Sequence, residues 1–442
     1  MQNRALRPTH GVPLRRTILV NAGIGWRQSR RTFGVLALGA LAALSCQVPG
    51  GETYSKPVEI SGTDGPAVER YVEETMPEVA VVQPAPDEVR APSLAEVETI
   101  IEAGTREAFP AAVLLVMRNG AVVHRRAYGL LDPEASPGEP LPLRARFDLA
   151  SLTKLFTATA FLRLVDLGEI QIDRLVQQVV PEFAGRGKEQ VTFRHLLTHS
   201  SGLPAYGPFY GHGEGPDDVI AAICRTNLQY SPGTRVVYSC LGYILLGHAM
   251  TRITGLPLDR WMQTAVLDPL GISEAGYNPA AAGITPVVPT GTGDYRKRRL
   301  RGEVHDPLAS AMAGVSGNAG LFGTADSVAR LGQVYLDGGV AGDRVFLSEE
   351  LVREATREHI RFGGERRGLG WALKPPAGGS AGRLMSPSSY GHTGFTGTSI
   401  WVDPARRLLV VFLTNRVWFG DQTDILSWRR RVHDGVVQAL DG

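Results

Sequence analysis

Residues 147–168 run Phe147-Asp148-Leu149-Ala150, then Ser151-Leu152-Thr153-Lys154, then LFTATAFLRLVDLG. The first four residues read as an extended approach, and the apolar run from Lys154 reads as a helix. Positions i and i+3 of a helix share a face one turn apart, so the Lys154 amine can reach the Ser151 hydroxyl. A serine at a helix N-terminus sits among unpaired N–H groups in a positive field, which suits a developing oxyanion. For Lys154 to act as a base its pKa must fall from about 10.4 toward about 7–8, roughly 4 kcal/mol, which burial beside another cation can supply. The plain alternative is a capping serine with an exposed lysine one turn later. Lysine is scarce, five against 41 arginines, so one placed in such a motif stands out.

Two further motifs follow. Tyr238-Ser239 lies in YSPGTRVVYSCLGYILLG (230–247). A tyrosine there can carry a proton, or it can be a buried aromatic at a junction before a helix. His392-Thr393-Gly394 lies in YGHTGFTGTSIWVDP (390–404). A strand edge there can offer the Phe395 N–H, and a His or Thr to hold a substrate carboxylate.

Outward from these, AAVLLVMRNGAVVHRRAYG (111–129) reads as two strands joined at Asn119-Gly120, a strong hairpin signal. Ser93 is expected to cap a helix with an apolar stripe of Leu94, Val97, Ile100 and Ile101. Helical patterns fill about 151–270. Strands return in GTSIWVDP (397–404) and RRLLVVFLTN (406–415), with a turn at Asp403-Pro404, and a last helix spans about Ile425–Leu440. Strands at both ends of a helical middle predict an α+β chain, with one antiparallel sheet flanked by helices plus an all-helical lobe.

The order and spacing of the three motifs resemble the serine β-lactamase and penicillin-binding-protein superfamily. The likeness is strongest to its class C β-lactamase, D-alanyl-D-alanine carboxypeptidase and esterase branch. FPAAVLLVMRNGAVVHRRAYG (109–129) and VTFRHLLTHSSGLP (191–204) add to the likeness, which spans roughly 94–438. It implies a β-lactamase/transpeptidase-like fold with the site between two lobes. It also implies Ser151 as the acylated nucleophile, Lys154 as its base and Tyr238 as proton carrier to the leaving group. His392, Thr393 and Gly394 match the third motif, and the oxyanion hole would be the N–H groups of Ser151 and Phe395. The position after Tyr238-Ser239 is usually Asn or Asp in that family and here is Cys240, a poor hydrogen-bonding partner for a substrate amide. VHDPLASAMAGVSGNAGLFGTA (304–325) and FLTNRV (412–417) resemble a branch that includes muropeptide-trimming amidases.

The resemblance implies a serine hydrolase working through an acyl-enzyme on a β-lactam, D-alanyl peptide, muropeptide or carboxylic ester. The alternative is a penicillin-binding sensor without turnover. No cofactor and no metal are expected. His195 and His199 stand four apart, but the intervening residues lack the acid of a zinc hydrolase, and His199 is expected to bond backbone near Gly202. Gly378-Gly379-Ser380-Ala381-Gly382 matches G-x-S-x-G but sits in a Pro/Gly loop, not between strand and helix. GHGEG (211–215) is a lone glycine-rich loop rather than a nucleotide site. His305-Asp306 reads as a structural turn, or as an orienting pair. Cys224 and Cys240 read as small core residues, or as a disulfide in an exported protein.

Composition frames the rest. The chain has 442 residues, is 43% hydrophobic and 20% charged, and carries 52 Gly and 29 Pro, an ordinary globular make-up rich in turns. Residues 1–45 hold seven arginines and no acid, and the remainder holds 39 basic against 44 acidic side chains, a net charge of −5. An acidic body does not track phosphates, so nucleic acid is not an expected partner. Arg30-Arg31 precede GVLALGALAALS and Cys46, which reads as a twin-arginine export signal over 1–46. Its end resembles a lipobox, so either Cys46 is lipidated or the signal is cleaved and the protein released. Residues 47–92 are acidic and Pro-rich and read as a linker, leaving 93–442 as the catalytic domain in the periplasm or envelope.

Overall fold

The computed structural model describes residues 88–211, 213–292 and 295–441. The expected leader (1–46) and nearly all of the expected linker (47–92) lie outside the described residues. Val89 pairs with Arg125 in an isolated bridge. Ser93 does not cap the first helix. Pro92–Leu94 forms a 3-10 turn, and Leu94 takes the cap position of α1 (Ala95–Glu107) without a side-chain bond. Proline at the head of that turn moves Ser93 inside it, where its hydroxyl cannot precede the helix. Leu94, Val97 and Ile101 are buried, whereas Ile100 is half-buried.

The hairpin forms as read, from β1 (Ala111–Arg118) and β2 (Ala121–Gly129). Asn119 and Gly120 both adopt positive φ, 54° and 79°, the backbone that a two-residue turn of this hand requires. Further strands are β3 (Ile360–Phe362), β4 (Glu365–Arg367), β5 (Ala372–Leu373), β6 (Tyr390–Thr393), β7 (Ser399–Asp403) and β8 (Leu408–Thr414). They complete one eight-stranded antiparallel sheet in the order β2-β1-β8-β7-β6-β5-β4-β3. A three-stranded sheet of Phe147–Asp148, Leu321–Gly323 and Gly276–Tyr277 sits ahead of Ser151.

Alternation along β1 splits its side chains between two cores. Val113 and Leu115 join the large core shared with the helical segments; Leu114 and Val116 join a second core with α1 and the last helix. The β8 partners divide likewise, Val411 and Leu413 on one side, Val410 and Phe412 on the other. Each such burial contributes about 1.5–3 kcal/mol, so the central pair is a firm platform.

The helical part is built around α2 (Thr153–Asp166), buried at every residue from Thr153 to Leu164. Its threonines return their hydroxyls to the helix, Thr157 to Thr153 O at 3.1 Å and Thr159 to Leu155 O at 2.8 Å. Packed against it is α3 (Cys240–Thr254), almost as fully buried, with Ser239 as its cap. On the sheet lies α4 (Ala325–Leu336), where Gly332 meets Ile400 and Leu409. The chain closes with α5 (Leu426–Asp441) over the second core.

Candidate active site

Ser151 stands in a 3-10 turn (Ala150–Leu152) that runs directly into α2. The turn is entered through Ala150, whose φ of 47° lies in the left-handed region. That conformation costs an alanine roughly 1–2 kcal/mol, and buried Asp148 holds it in place. Asp148 accepts the Ala150 N–H at 2.8 Å with one oxygen and the His305 N–H at 2.7 Å with the other.

Lys154 is fully buried. Its Nζ donates to Ser151 Oγ at 3.1 Å and to Asn318 O at 2.8 Å, and lies 3.6 Å from Cys240 Sγ. It also stands 4.9 Å from the centre of the Tyr238 ring. The i, i+3 geometry thus brings the pair together, but the expected cation beside Lys154 is not what surrounds it. Burial disfavours its charge, while the acidic groups of Cys240 and Tyr238, with Asp306 beyond, outweigh burial and hold its pKa above the usual lysine value. Burial likewise raises Tyr238 and Cys240, against the pull of Lys154. These surroundings push Lys154 away from, not toward, the free amine that a base requires.

Tyr238 immediately precedes Ser239 and α3, and its hydroxyl is buried with no hydrogen-bond partner among the described residues. It lies close enough to Ser151 and Lys154 for both to pull its pKa down, without closing a bond to either. Cys240 is therefore part of the site wall and not only a core residue. Cys224 and Cys240 are both free, so the disulfide alternative does not form.

The third motif ends β6. His392 is buried, and its Nδ1 donates to Thr393 O at 2.9 Å, which leaves Nε2 an unpaired buried acceptor. Burial, with Lys154 and Arg367 nearby, pushes its pKa well below the usual histidine value, so it is neutral. A neutral ring with a lone pair facing inward cannot donate to a carboxylate; of the two candidates, Thr393, half-buried on the cleft wall, is the one that can. Gly394 is required by space. A Cβ there would fall 2.1 Å from Thr398 Oγ and 2.7 Å from Leu149 O.

The two turns are tied to each other. Thr396 Oγ donates to Asp148 O at 2.8 Å and Thr398 Oγ to Leu149 O at 3.0 Å. From α5, buried Arg429 donates 2.8 Å bonds to Gly394 O and Thr398 O. Arg416 donates to Phe395 O at 2.7 Å and lies 4.4 Å from the Phe395 ring. No acceptor takes the Ser151 or Phe395 N–H among the described residues, so both donors are available. The Gly394 N–H is not, since Thr398 O accepts it at 2.7 Å.

These groups line a cleft of about 790 Å³, with Tyr206, Tyr238 and Cys240 on the helical side and Leu373, His392 and Thr393 on the sheet side. Such an arrangement can attack a carbonyl, hold the oxyanion with two backbone donors and pass protons through Lys154 and Tyr238. Sequence reading missed Asn318, whose carbonyl takes the lysine and whose amide reaches Asp306 at 3.1 Å. His305-Asp306 serves both expected purposes. Asp306 caps the helix Pro307–Ala311 and accepts from Tyr206 at 3.2 Å, while His305 stacks on Phe395 in the cleft.

The remaining histidines and serine also have places. His195 closes a capping box with Thr192. His199 does not bond near Gly202 as expected; its Nδ1 accepts the Ser239 N–H at 3.0 Å, because the ring turns inward beneath Tyr238. Ser380 lies in a 3-10 turn (Gly379–Ala381) on the cleft wall, away from any strand-to-helix elbow. Among the described residues no cluster of three or more His, Cys, Asp or Glu side chains could hold a metal.

The model of the family described as Beta-lactamase matches residues 97–431. A protein of Escherichia coli (strain K12) named "Putative D-alanyl-D-alanine carboxypeptidase" is 33% identical over 348 residues, 70% of this chain and 79% of its own. Its namesake from Salmonella agona (strain SL483) is 32% identical over 359 residues, 72% of this chain and 81% of its own. Among solved structures, EstCE1, a hydrolase with promiscuous acyltransferase activity, has a TM-score of 0.65 at 22% identity, covering 78% of this chain and 98% of that one. A family VIII carboxylesterase has a TM-score of 0.62, also at 22% identity, covering 79% and 98%. At such identities the solved structures speak to the fold, which is the β-lactamase/transpeptidase-like one.

Proposed function

The chain belongs to the beta-lactamase family and is a serine hydrolase; from this premise we propose that it cleaves amides or esters through an acyl-enzyme on Ser151. The observation that carries the proposal is the contact of buried Lys154 Nζ with Ser151 Oγ at 3.1 Å, where Ser151 and Tyr238 line the cleft. Once Lys154 has lost a proton it takes that of Ser151, and Oγ bonds to the substrate carbonyl carbon. The oxyanion lies between the Ser151 and Phe395 N–H groups. As the tetrahedral centre collapses, Tyr238 gives its proton to the leaving nitrogen or oxygen and regains one from Lys154. Water then attacks the acyl-enzyme by the same route and frees Ser151.

The substrate is a small acyl compound or a fragment derived from peptidoglycan, and no nucleic acid is involved. Cys240 supports turnover of esters over amides, since a thiol that already touches Lys154 offers little to an amide N–H. The twin-arginine segment supports export to the periplasm or envelope, with Cys46 as a lipid attachment point. A time course tests turnover. A burst followed by steady hydrolysis of a chromogenic ester agrees with the proposal, and a burst that stops at one equivalent points to a penicillin-binding sensor.

A further inference from the structure

His199 forms a clamp around Tyr238. The residues either side of the tyrosine are both bonded to this one histidine. The Val237 N–H donates to His199 O at 3.0 Å, and the Ser239 N–H donates to His199 Nδ1 at 3.0 Å. Between those two ties the rings lie in contact at a tilt of 38°, with centroids 4.4 Å apart. The ring of Tyr243 also lies beside His199, at 5.0 Å, itself anchored through its hydroxyl to Leu197 O at 3.0 Å, and the Tyr230 hydroxyl donates to His199 O at 3.4 Å.

The histidine is held hard. It is 2% exposed, and its φ of 58° is left-handed, a conformation that needs a reason in a residue other than glycine. The bend aims carbonyl and ring at the same segment. Because Nδ1 accepts, the proton of the neutral ring is on Nε2, which is buried without a partner among the described residues. A residue kept only for packing would not carry that unpaired polar group, since an apolar side chain would fill the space at lower cost. Burial, with the Arg367 and Lys154 charges nearby, keeps the ring neutral, so it adds no second cation against Lys154.

We propose that His199 is a positioning residue for proton delivery, fixing the Tyr238 hydroxyl between Ser151, Lys154 and the leaving group through two backbone ties and a tilted ring contact. This rests on the reading of Tyr238 as the donor to the leaving group. The hydroxyl makes no hydrogen bond of its own among the described residues. Its place is therefore set by its backbone and by the groups its ring rests against; Lys154, Arg367 and His392 also lie within 6 Å of the ring centre, but His199 is the nearest ring and ties the backbone on both sides.

The test is His199→Asn, which tolerates a left-handed backbone and keeps an acceptor near the Nδ1 position while removing the ring. His199→Gly removes both and serves as a second variant. The purified full chain is assayed on two esters of one acid, ethyl butyrate and p-nitrophenyl butyrate, with and without Tyr238→Phe. Ethoxide needs a proton to leave and nitrophenolate does not. A misplaced acid should therefore cost about 10²-fold in kcat/KM, which reads acylation, on the ethyl ester and less than about threefold on the nitrophenyl ester. In the Tyr238→Phe background His199→Asn should cost nothing more.

Equal losses of kcat/KM on both esters, full kcat/KM on the ethyl ester in a folded variant, or an undiminished loss in the Tyr238→Phe background would each overturn the proposal. So would the failure of both variants to fold, which would make the residue architectural. Full turnover by Tyr238→Phe alone would instead sink the reading of Tyr238 on which the clamp rests.

Discussion

Gly394→Ala should damage the oxyanion site more than the fold. The added methyl would lie 2.1 Å from Thr398 Oγ and 2.7 Å from Leu149 O, where ordinary contact begins at 3.4 Å. Neither atom can retreat freely. Thr398 Oγ is bonded to Leu149 O, and Arg429 holds the Thr398 and Gly394 carbonyls from α5. The clash is therefore relieved by moving the turn that carries Phe395, by roughly 1 Å, at an overpacking cost of about 1–3 kcal/mol. The Phe395 N–H then leaves its position opposite the Ser151 N–H. Loss of one oxyanion donor costs about 10²–10³ in kcat. The assay is kcat on p-nitrophenyl butyrate alongside thermal unfolding. A loss of that size in a protein still folded at assay temperature is expected. Full activity would refute the assignment of Phe395 as a donor, and so would a loss that merely tracks unfolding.

Three further outcomes are expected. Because the pKa of Lys154 is held above the usual lysine value, the form able to accept the Ser151 proton grows with pH; kcat/KM should climb about tenfold per pH unit from pH 7 to 9, and a plateau there would contradict Lys154 as the base. Cys240→Asn should quicken acylation by a penicillin relative to an ester, read as the ratio of labelling rates, and an unchanged ratio would absolve the thiol. Arg429→Met strips two bonds from the Gly394–Thr398 turn and should lower stability by about 3–5 kcal/mol, measured by urea unfolding, as expected for a buried charged group that donates to two carbonyls of that turn.

Local rules explain what could be read from the chain in advance. Asn119-Gly120 announced the hairpin because few residues accept two positive φ values in succession. Ser151 and Lys154 were readable because their meeting depends only on helical pitch. The strands Ile360–Phe362, Glu365–Arg367 and Ala372–Leu373 were not, being two or three residues long and lacking an alternating pattern to detect. Asn318 was hidden for another reason. It meets Lys154 across 164 residues of chain, and the contact uses its backbone carbonyl, which every residue has. The direction in which Lys154 is shifted was not readable, because it depends on which acids tertiary packing sets beside it, here Cys240 and Tyr238. His199 looked like half of a metal pair by spacing alone, and only its left-handed backbone turns it under the tyrosine.

The most direct measurement is the site of covalent attachment. After brief exposure to a fluorophosphonate or a fluorescent penicillin, the full chain is digested with trypsin, which releases residues 147–154 as one peptide holding Ser151 and no other serine. The account predicts the adduct mass on that peptide in the wild type, and no adduct in Ser151→Ala. An adduct on the segment that carries Ser380, or unchanged labelling of Ser151→Ala, would contradict it.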